Sequence, residues 1–235
     1  MWPAGRRARW QRSAWDERSR SWDEQVSSSA FRMVRECVLQ RARCAASDRC
    51  VDLGAGTGFL TMAVAERAAQ VLAVDVSPVM LTVLRQAAAA QGLENVTTLV
   101  ADMTALTLEP ASLDLVVSSY ALHSLPHADK ARLLSMCARS LRPGGRIVIA
   151  DMMLGRGLGA RDRVILLDKV RRLARLGVPG LWRIARNVVR LGLGVGENRP
   201  ATPAWWVRAL GEAGFVDVVH SDVVAEAGVV SGVRP

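Results

Sequence analysis

Val51-Asp52-Leu53-Gly54-Ala55-Gly56-Thr57-Gly58-Phe59-Leu60 is a short apolar run that ends in a carboxylate and gives way to three closely spaced glycines. The pattern reads as strand, glycine loop and helix. Glycine reaches φ values barred to other residues and carries no Cβ, so a ligand can lie directly on the main chain. The stretch therefore predicts a cofactor shelf made by Gly54, Ala55, Gly56 and Gly58. Dinucleotide folds use G-x-G-x-x-G, and here Phe59 stands where the third glycine would be. No Lys-Ser/Thr pair follows the glycines, which removes a phosphate-gripping P-loop.

Outward from the shelf, strands and helices alternate. Thr57 to Ala68 reads as an amphipathic helix whose first amides face the cofactor. Val71 to Val74 is a buried strand ending at Asp75, 21 residues after Gly54, where a carboxylate can accept both ribose hydroxyls of a nucleoside. Val76 follows it, and Ser77-Pro78 starts a helix to Gln91 that brings Met80 toward ribose or adenine. The run Val96 to Val100 closes at Asp102, followed by Met103. Leu113 to Ser118 is a fourth strand opening at Ser119, Ala128 to Leu141 a helix, and Ile147 to Met152 a fifth strand. Asp52, Asp75 and Asp102 thus fall at the carboxyl ends of successive strands, where open α/β sheets bind ligands.

The run D-L-G-A-G-T-G resembles the first motif of the class I S-adenosylmethionine (SAM) dependent methyltransferases, and the resemblance extends from about Trp15 to Gly214. Ser119 to Pro126, with its His123-Ser124-Leu125-Pro126 ending, resembles the family's loop after the fourth strand, and Leu141-Arg142-Pro143-Gly144-Gly145 before an apolar strand is a family mark. Trp15-Asp16 and Trp22-Asp23 look like the N-terminal segment that covers the cofactor in ubiquinone/menaquinone-type members, with Trp22 in place of the usual tyrosine. The resemblance implies SAM as methyl donor and S-adenosylhomocysteine as product. It implies that Asp52 acts through the methionyl ammonium, that Asp102 accepts from the adenine amino group, and that Met103 packs on the ring. Trp22, Val76, Met80 and Ser119 complete the implied cofactor set, and no metal is expected. The implied fold is a doubly wound, mostly parallel sheet of seven strands in the order 3-2-1-4-5-7-6 with the last strand antiparallel. Phe215 to Asp222 and Val223 to Val233 supply its last two strands, after a helix from Pro203 to Ala213.

At 235 residues, half of them hydrophobic, the chain suits one domain. The expected parts are an N-terminal helical cap (1–45), a SAM-binding core (46–152), a helical lid insertion after strand 5 (153–200) and a C-terminal helix with strands (201–235). In the cap, Ser27 to Ser29 offer an N-cap before Phe31, Val34, Val38 and Ala42 at helical spacing. Residues 1–43 carry +5 and 159–191 carry +7 of the total +9, so the core is not basic. No nucleic-acid partner is expected, since no N/D-P-P-Y/F motif accompanies the fourth strand. Cys37, Cys44, Cys50 and Cys137 show no C-x-x-C pair and no adjacent histidine, which points to free thiols without assigned chemistry. With no apolar run of about 18 residues, the expected location is the cytoplasm. The insertion places Leu166, Leu167, Val170 and Leu173 on one helical face beside Arg171, Arg172 and Arg175, and peripheral membrane contact through 153–200 is one expectation.

The predicted reaction is methyl transfer to oxygen or carbon of a small, lipophilic or aromatic acceptor. Such an acceptor must shed a proton. An imidazole titrates near pH 6.5 in its ordinary state, and His123 is the well-placed base candidate, with Tyr120 and Asp151 as further acceptor contacts. A loop histidine that bridges backbone groups is the competing reading. A nicotinamide oxidoreductase shares the fold and Asp75 but fails at Phe59, and a SAM-binding module without catalysis shares every cofactor motif.

Overall fold

A computed structural model describes residues 29–153, 200–224 and 226–235. Its helices are α1 (Ser29–Ala42), α2 (Thr61–Ala65), α3 (Pro78–Ala90), α4 (His127–Ser140) and α5 (Pro203–Glu212). Its strands are β1 (Arg49–Leu53), β2 (Gln70–Asp75), β3 (Val96–Val100), β4 (Leu113–Ser119), β5 (Leu141–Met152), β6 (Val216–Val224) and β7 (Ala227–Val233). They form one sheet in the order β3-β2-β1-β4-β5-β7-β6. β1 to β5 pair in parallel, while β7 runs antiparallel to both β5 and β6.

Successive residues of a strand face opposite sides of the sheet, and the core divides accordingly. Val51, Val116, Ile147 and Ile149 meet Leu133, Leu134, Trp206 and Leu210 from α4 and α5. Cys50, Leu115, Val117 and Val148 meet Val34, Val38 and Ala42 from α1, together with Leu60 and Val64. The four-residue spacing in α1 is what brings those three side chains to one buried stripe. That helix stops at Arg43, whose φ is 43°. Its last carbonyls are held by Arg146 of β5, whose Nε donates to Ala42 O at 2.7 Å and which also pairs with Asp48, a cation at a helix C-terminus.

The structure shifts several expected boundaries. The helix expected from Thr57 begins only at Thr61 and ends at Ala65, because Gly56 and Gly58 take φ of 55° and 97° and cannot join a right-handed helix in that state. The fifth strand starts at Leu141, six residues earlier than expected. Its R-P-G-G segment is part of the strand, with Gly144 turning to a left-handed φ of 79° and its N–H donating to Arg234 O at 2.8 Å. The final hairpin turns just before Ala227, not at Val223, so Val223 and Val224 belong to β6. β3 is one of the sheet's two edge strands and leaves Leu99 and Val100 exposed. The cap before Ser29, with Trp15 and Trp22, and the expected lid over 154–199 lie outside the described residues. Among the described residues no helix is long and apolar enough to cross a membrane.

Candidate functional site

The carboxyl ends of β1, β2 and β4 open into one cleft, and the glycine loop is its floor. Gly54 N–H and Ala55 N–H both donate to Val74 O, at 2.8 and 3.0 Å, folding the loop back over the end of β2. Gly54 has φ of 79°, and a Cβ placed on it would lie 2.2 Å from the Cβ of Ala121. Ala121 reaches that position because Tyr120 takes a left-handed conformation, φ 51°, while its N–H still donates to Ala150 O at 2.9 Å. A tyrosine in this region is a local strain held by its surroundings. The absent side chain at Gly54 therefore admits a neighbouring loop.

Three acids border the cleft, each with different local partners. Asp52 is buried, and its Oδ2 accepts from the Thr61 hydroxyl at 2.6 Å. Its Oδ1 has no hydrogen-bond partner among the described residues. Burial pushes this carboxyl up to about 7, with the Asp75 charge adding to the rise and the Thr61 hydrogen bond opposing it. Asp75 accepts from Gly56 N–H through Oδ2 and from Ser77 N–H through Oδ1, both at 2.9 Å. Those bonds aim the carboxylate by fixing it to the glycine loop on one side and the start of α3 on the other. Ser77 in turn caps α3 by accepting from Met80 N–H at 3.1 Å, which seats Met80 on the cleft wall. Asp102 uses Oδ1 to accept from Thr104 N–H and Thr104 Oγ1–H, at 2.9 and 2.7 Å, holding its own turn.

Asp52, Gly54, Ala55, Gly56, Asp75, Val76, Met80, Asp102, Met103 and Ser119 line the cleft together. Gly58 does not. A Cβ there would meet Leu84 Cγ of α3 at 2.9 Å, so this glycine serves helix packing. Trp22 lies outside the described residues. Sequence reasoning did not assign Phe31, Phe59 and Tyr120 to the cofactor site, yet all three line the cleft. Their rings form a cluster, Phe31 lying 4.6 Å from Tyr120 and 6.1 Å from Phe59 between centroids. The available signal was Phe59 itself, an aromatic directly after the glycines. Phe31 was hidden by its helical spacing, which fits a core residue equally well. Burial raises the Tyr120 phenol far above its ordinary value, with the charges of Glu226 and Asp151 adding to it, so this side chain remains a neutral hydroxyl.

His123 is also off the cleft lining, although Ala121, Ser124 and Leu125 around it are on it. It sits in a single 3-10 turn, Leu122–Ser124, and is buried. Its Nδ1 lies 2.7 Å from Oδ1 of Asp151, a fully buried acid on β5. Asp151 Oδ1 also accepts from Met152 N–H at 2.7 Å, whereas Oδ2 has no hydrogen-bond partner among the described residues. The histidine and the acid that the sequence offered as separate candidates thus form a pair bridging the ends of β4 and β5.

Residues 50–145 match the methyltransferase domain family. The chain is 43% identical over 137 residues to an uncharacterised methyltransferase of Mycobacterium tuberculosis, covering 52% of this chain and 53% of that protein. It thus spans about half the length of that relative. A demethylmenaquinone methyltransferase of Clavibacter sepedonicus is 33% identical over 199 residues, covering 81% of this chain and 75% of that protein. Among solved structures, a putative methyltransferase from Haloferax volcanii, determined in complex with the Trm112 methyltransferase activator, superposes with a TM-score of 0.69 at 18% identity. That superposition covers 94% of this chain and 97% of that one, and it shows a shared fold.

Proposed function

The chain belongs to the SAM-dependent methyltransferases, and from that premise we propose that it transfers a methyl group from SAM to oxygen or carbon of a small aromatic or quinone-like acceptor. The observation that carries the reading is Asp52, a buried carboxylate on the cleft wall with one oxygen lacking a partner among the described residues. A buried charge without a partner is costly, and a cationic ligand group removes that cost. SAM brings an ammonium as well as a cationic sulfur. A dinucleotide would bring phosphates into a cleft lined by Asp52, Asp75 and Asp102, with no Lys or Arg among the described residues on its wall. The residue set fits SAM on charge and disfavours NAD.

In this reading Asp52 holds the methionyl ammonium, Asp75 the ribose hydroxyls, and Asp102 with Met103 the adenine. SAM supplies a methyl carbon already activated by positive sulfur. The protein's part is to align the acceptor with that carbon and to exclude water. Phe31, Phe59 and Tyr120 provide an apolar, aromatic wall for both purposes. In this reading the acceptor's proton passes to His123, which adjoins the cleft residue Ser124 without itself lining the cleft. Its Nδ1 is engaged by Asp151, which fixes the tautomer with Nε2 as the accepting nitrogen and stabilises the imidazolium once formed. The name of the Clavibacter relative supports an acceptor of the quinol type.

Calorimetric titration with SAM, S-adenosylhomocysteine and NAD, followed by labelled methyl transfer to phenols, enols and hydroquinones, tests the reading. Binding of the first two and turnover of a hydroquinone or phenol are expected. Equal affinity for NAD would sink the cofactor assignment. Asp75→Ala should weaken SAM binding by about 1–2 kcal/mol, from hydrogen bonds lost to ribose and from loosening of Gly56, whose N–H loses its acceptor. Titration of this variant against SAM checks it, and unchanged affinity would place the ribose elsewhere.

A further inference from the structure

At the opposite end of β1 from the cleft, the loop 44–48 brings two thiols together. Cys44 Sγ and Cys50 Sγ are 3.9 Å apart, and Asp48 places a carboxylate oxygen within 4.8 Å of both. The two cysteines differ in setting. Cys50 is buried within the core layer under α1, whereas Cys44 is partly exposed. The loop between them is fixed at several points. Ala45 N–H donates to Asp48 Oδ2 at 2.9 Å, Asp48 N–H donates to Ala45 O at 3.0 Å, and Arg146 pairs with the same carboxylate. Fixed backbone on both sides holds the sulfurs near each other without a covalent link.

We propose that Cys44 and Cys50 are a redox-active dithiol, with Cys44 the residue attacked by peroxide and Cys50 the one that closes a disulfide. Cys44 sulfur attacks one peroxide oxygen, the O–O bond breaks, and the departing hydroxide takes up a proton to leave as water. The resulting sulfenic acid is then attacked at sulfur by Cys50. Its hydroxyl leaves with the Cys50 thiol proton as a second water while the S–S bond forms. Two thiols are oxidised by two electrons and one peroxide is reduced to two waters. The electrostatics agree with this division of roles. The Cys50 thiol, hydrogen-bonded to Cys44, lowers the Cys44 pKa, and the Arg146 guanidinium acts the same way against burial and the Asp48 charge. Cys50 is pushed up by that same contact and by burial. The bond would join the segment following α1 directly to β1, closing a short loop between two elements that already pack together.

The test is peroxide treatment of the reduced 235-residue chain, read by thiol counting, non-reducing peptide mapping and thermal melting. Expected are loss of two of the four thiols, a peptide linking Cys44 to Cys50, reversal by a dithiol reductant, and a rise in Tm of about 5 °C from closure of the loop. Cys37→Ser should leave the linkage intact. In Cys50→Ser, Cys44 should stop at sulfenic acid, trapped by a dimedone-type reagent. Linkage through Cys37 or between chains, or a fall in Tm on oxidation, would overturn the proposal. Stoichiometric zinc retained after dialysis and released in Cys44→Ser would also overturn it, replacing the dithiol by a metal site.

Discussion

His123→Ala is expected to lower the rate of methyl transfer by about 10²–10⁴-fold while leaving SAM affinity unchanged. The affinity should hold because the ring is not part of the cleft lining, where Ser124 and Leu125 stand instead. The rate should fall because the proton of a phenol or hydroquinone then has no acceptor. Raising the pH ionises the acceptor in solution and should recover part of the loss. Asp151→Asn separates positioning from packing. It retains volume and an oxygen for Met152 N–H but replaces the carboxylate facing His123 Nδ1, and a rate loss of about 10²–10⁴-fold is expected, approaching that of His123→Ala, as when the acid that sets the tautomer of a general-base histidine becomes an amide. If kcat and its pH profile match the wild type in both variants, the pair only ties the loop after β4 to β5, and proton removal falls to solvent.

Why the fold was legible and part of the site was not can be traced to particular residues. Asp52, Asp75 and Asp102 each close an apolar run, and parallel strands deliver their carboxyl ends to the same end of the sheet, so linear spacing alone places the acids together. The positions that linear spacing does not distinguish are those whose surroundings depend on distant approach. Gly58 and Gly54 look alike in sequence, yet one faces Leu84 and the other Ala121. His123 and Asp151 are 28 residues apart, and they meet because β4 and β5 are adjacent in the sheet. Cys44 and Cys50 read in sequence as free thiols without assigned chemistry, since no C-x-x-C pair marks them as neighbours. Here a loop folded about Asp48 joins thiols six positions apart. Phe31 was read correctly as helical, but α1 extends past the core, so its first turn reaches the cleft while Val34, Val38 and Ala42 stay buried.

Asp52→Asn is expected to push binding and stability in opposite directions. For binding, it removes the charge that meets the SAM ammonium, and loss of one member of a buried charge pair costs about 3 kcal/mol, a hundredfold in affinity at pH 8. For stability, the carboxyl stands at about 7 in the folded chain against an ordinary 3.8. A raised folded value means that the neutral form stabilises the fold. This contribution is fully present below about pH 4, is lost as pH rises toward 7, and leaves the ligand-free protein strained at pH 8. Asparagine keeps an oxygen for the Thr61 hydroxyl and carries no charge, so the variant should gain about 1–2 kcal/mol at pH 8 and nothing at pH 4, part of the relief being offset by an amide NH₂ in the place of the unpartnered Oδ1. The wild type should lose SAM affinity about tenfold per pH unit below pH 7, since Asp52 must first ionise to bind a cation, while the variant stays flat over that window. Calorimetry and thermal melts at pH 5, 6, 7 and 8 read both curves. A wild-type affinity independent of pH there would show that Asp52 does not meet the ammonium, and the charge argument for SAM over NAD would lose its first support.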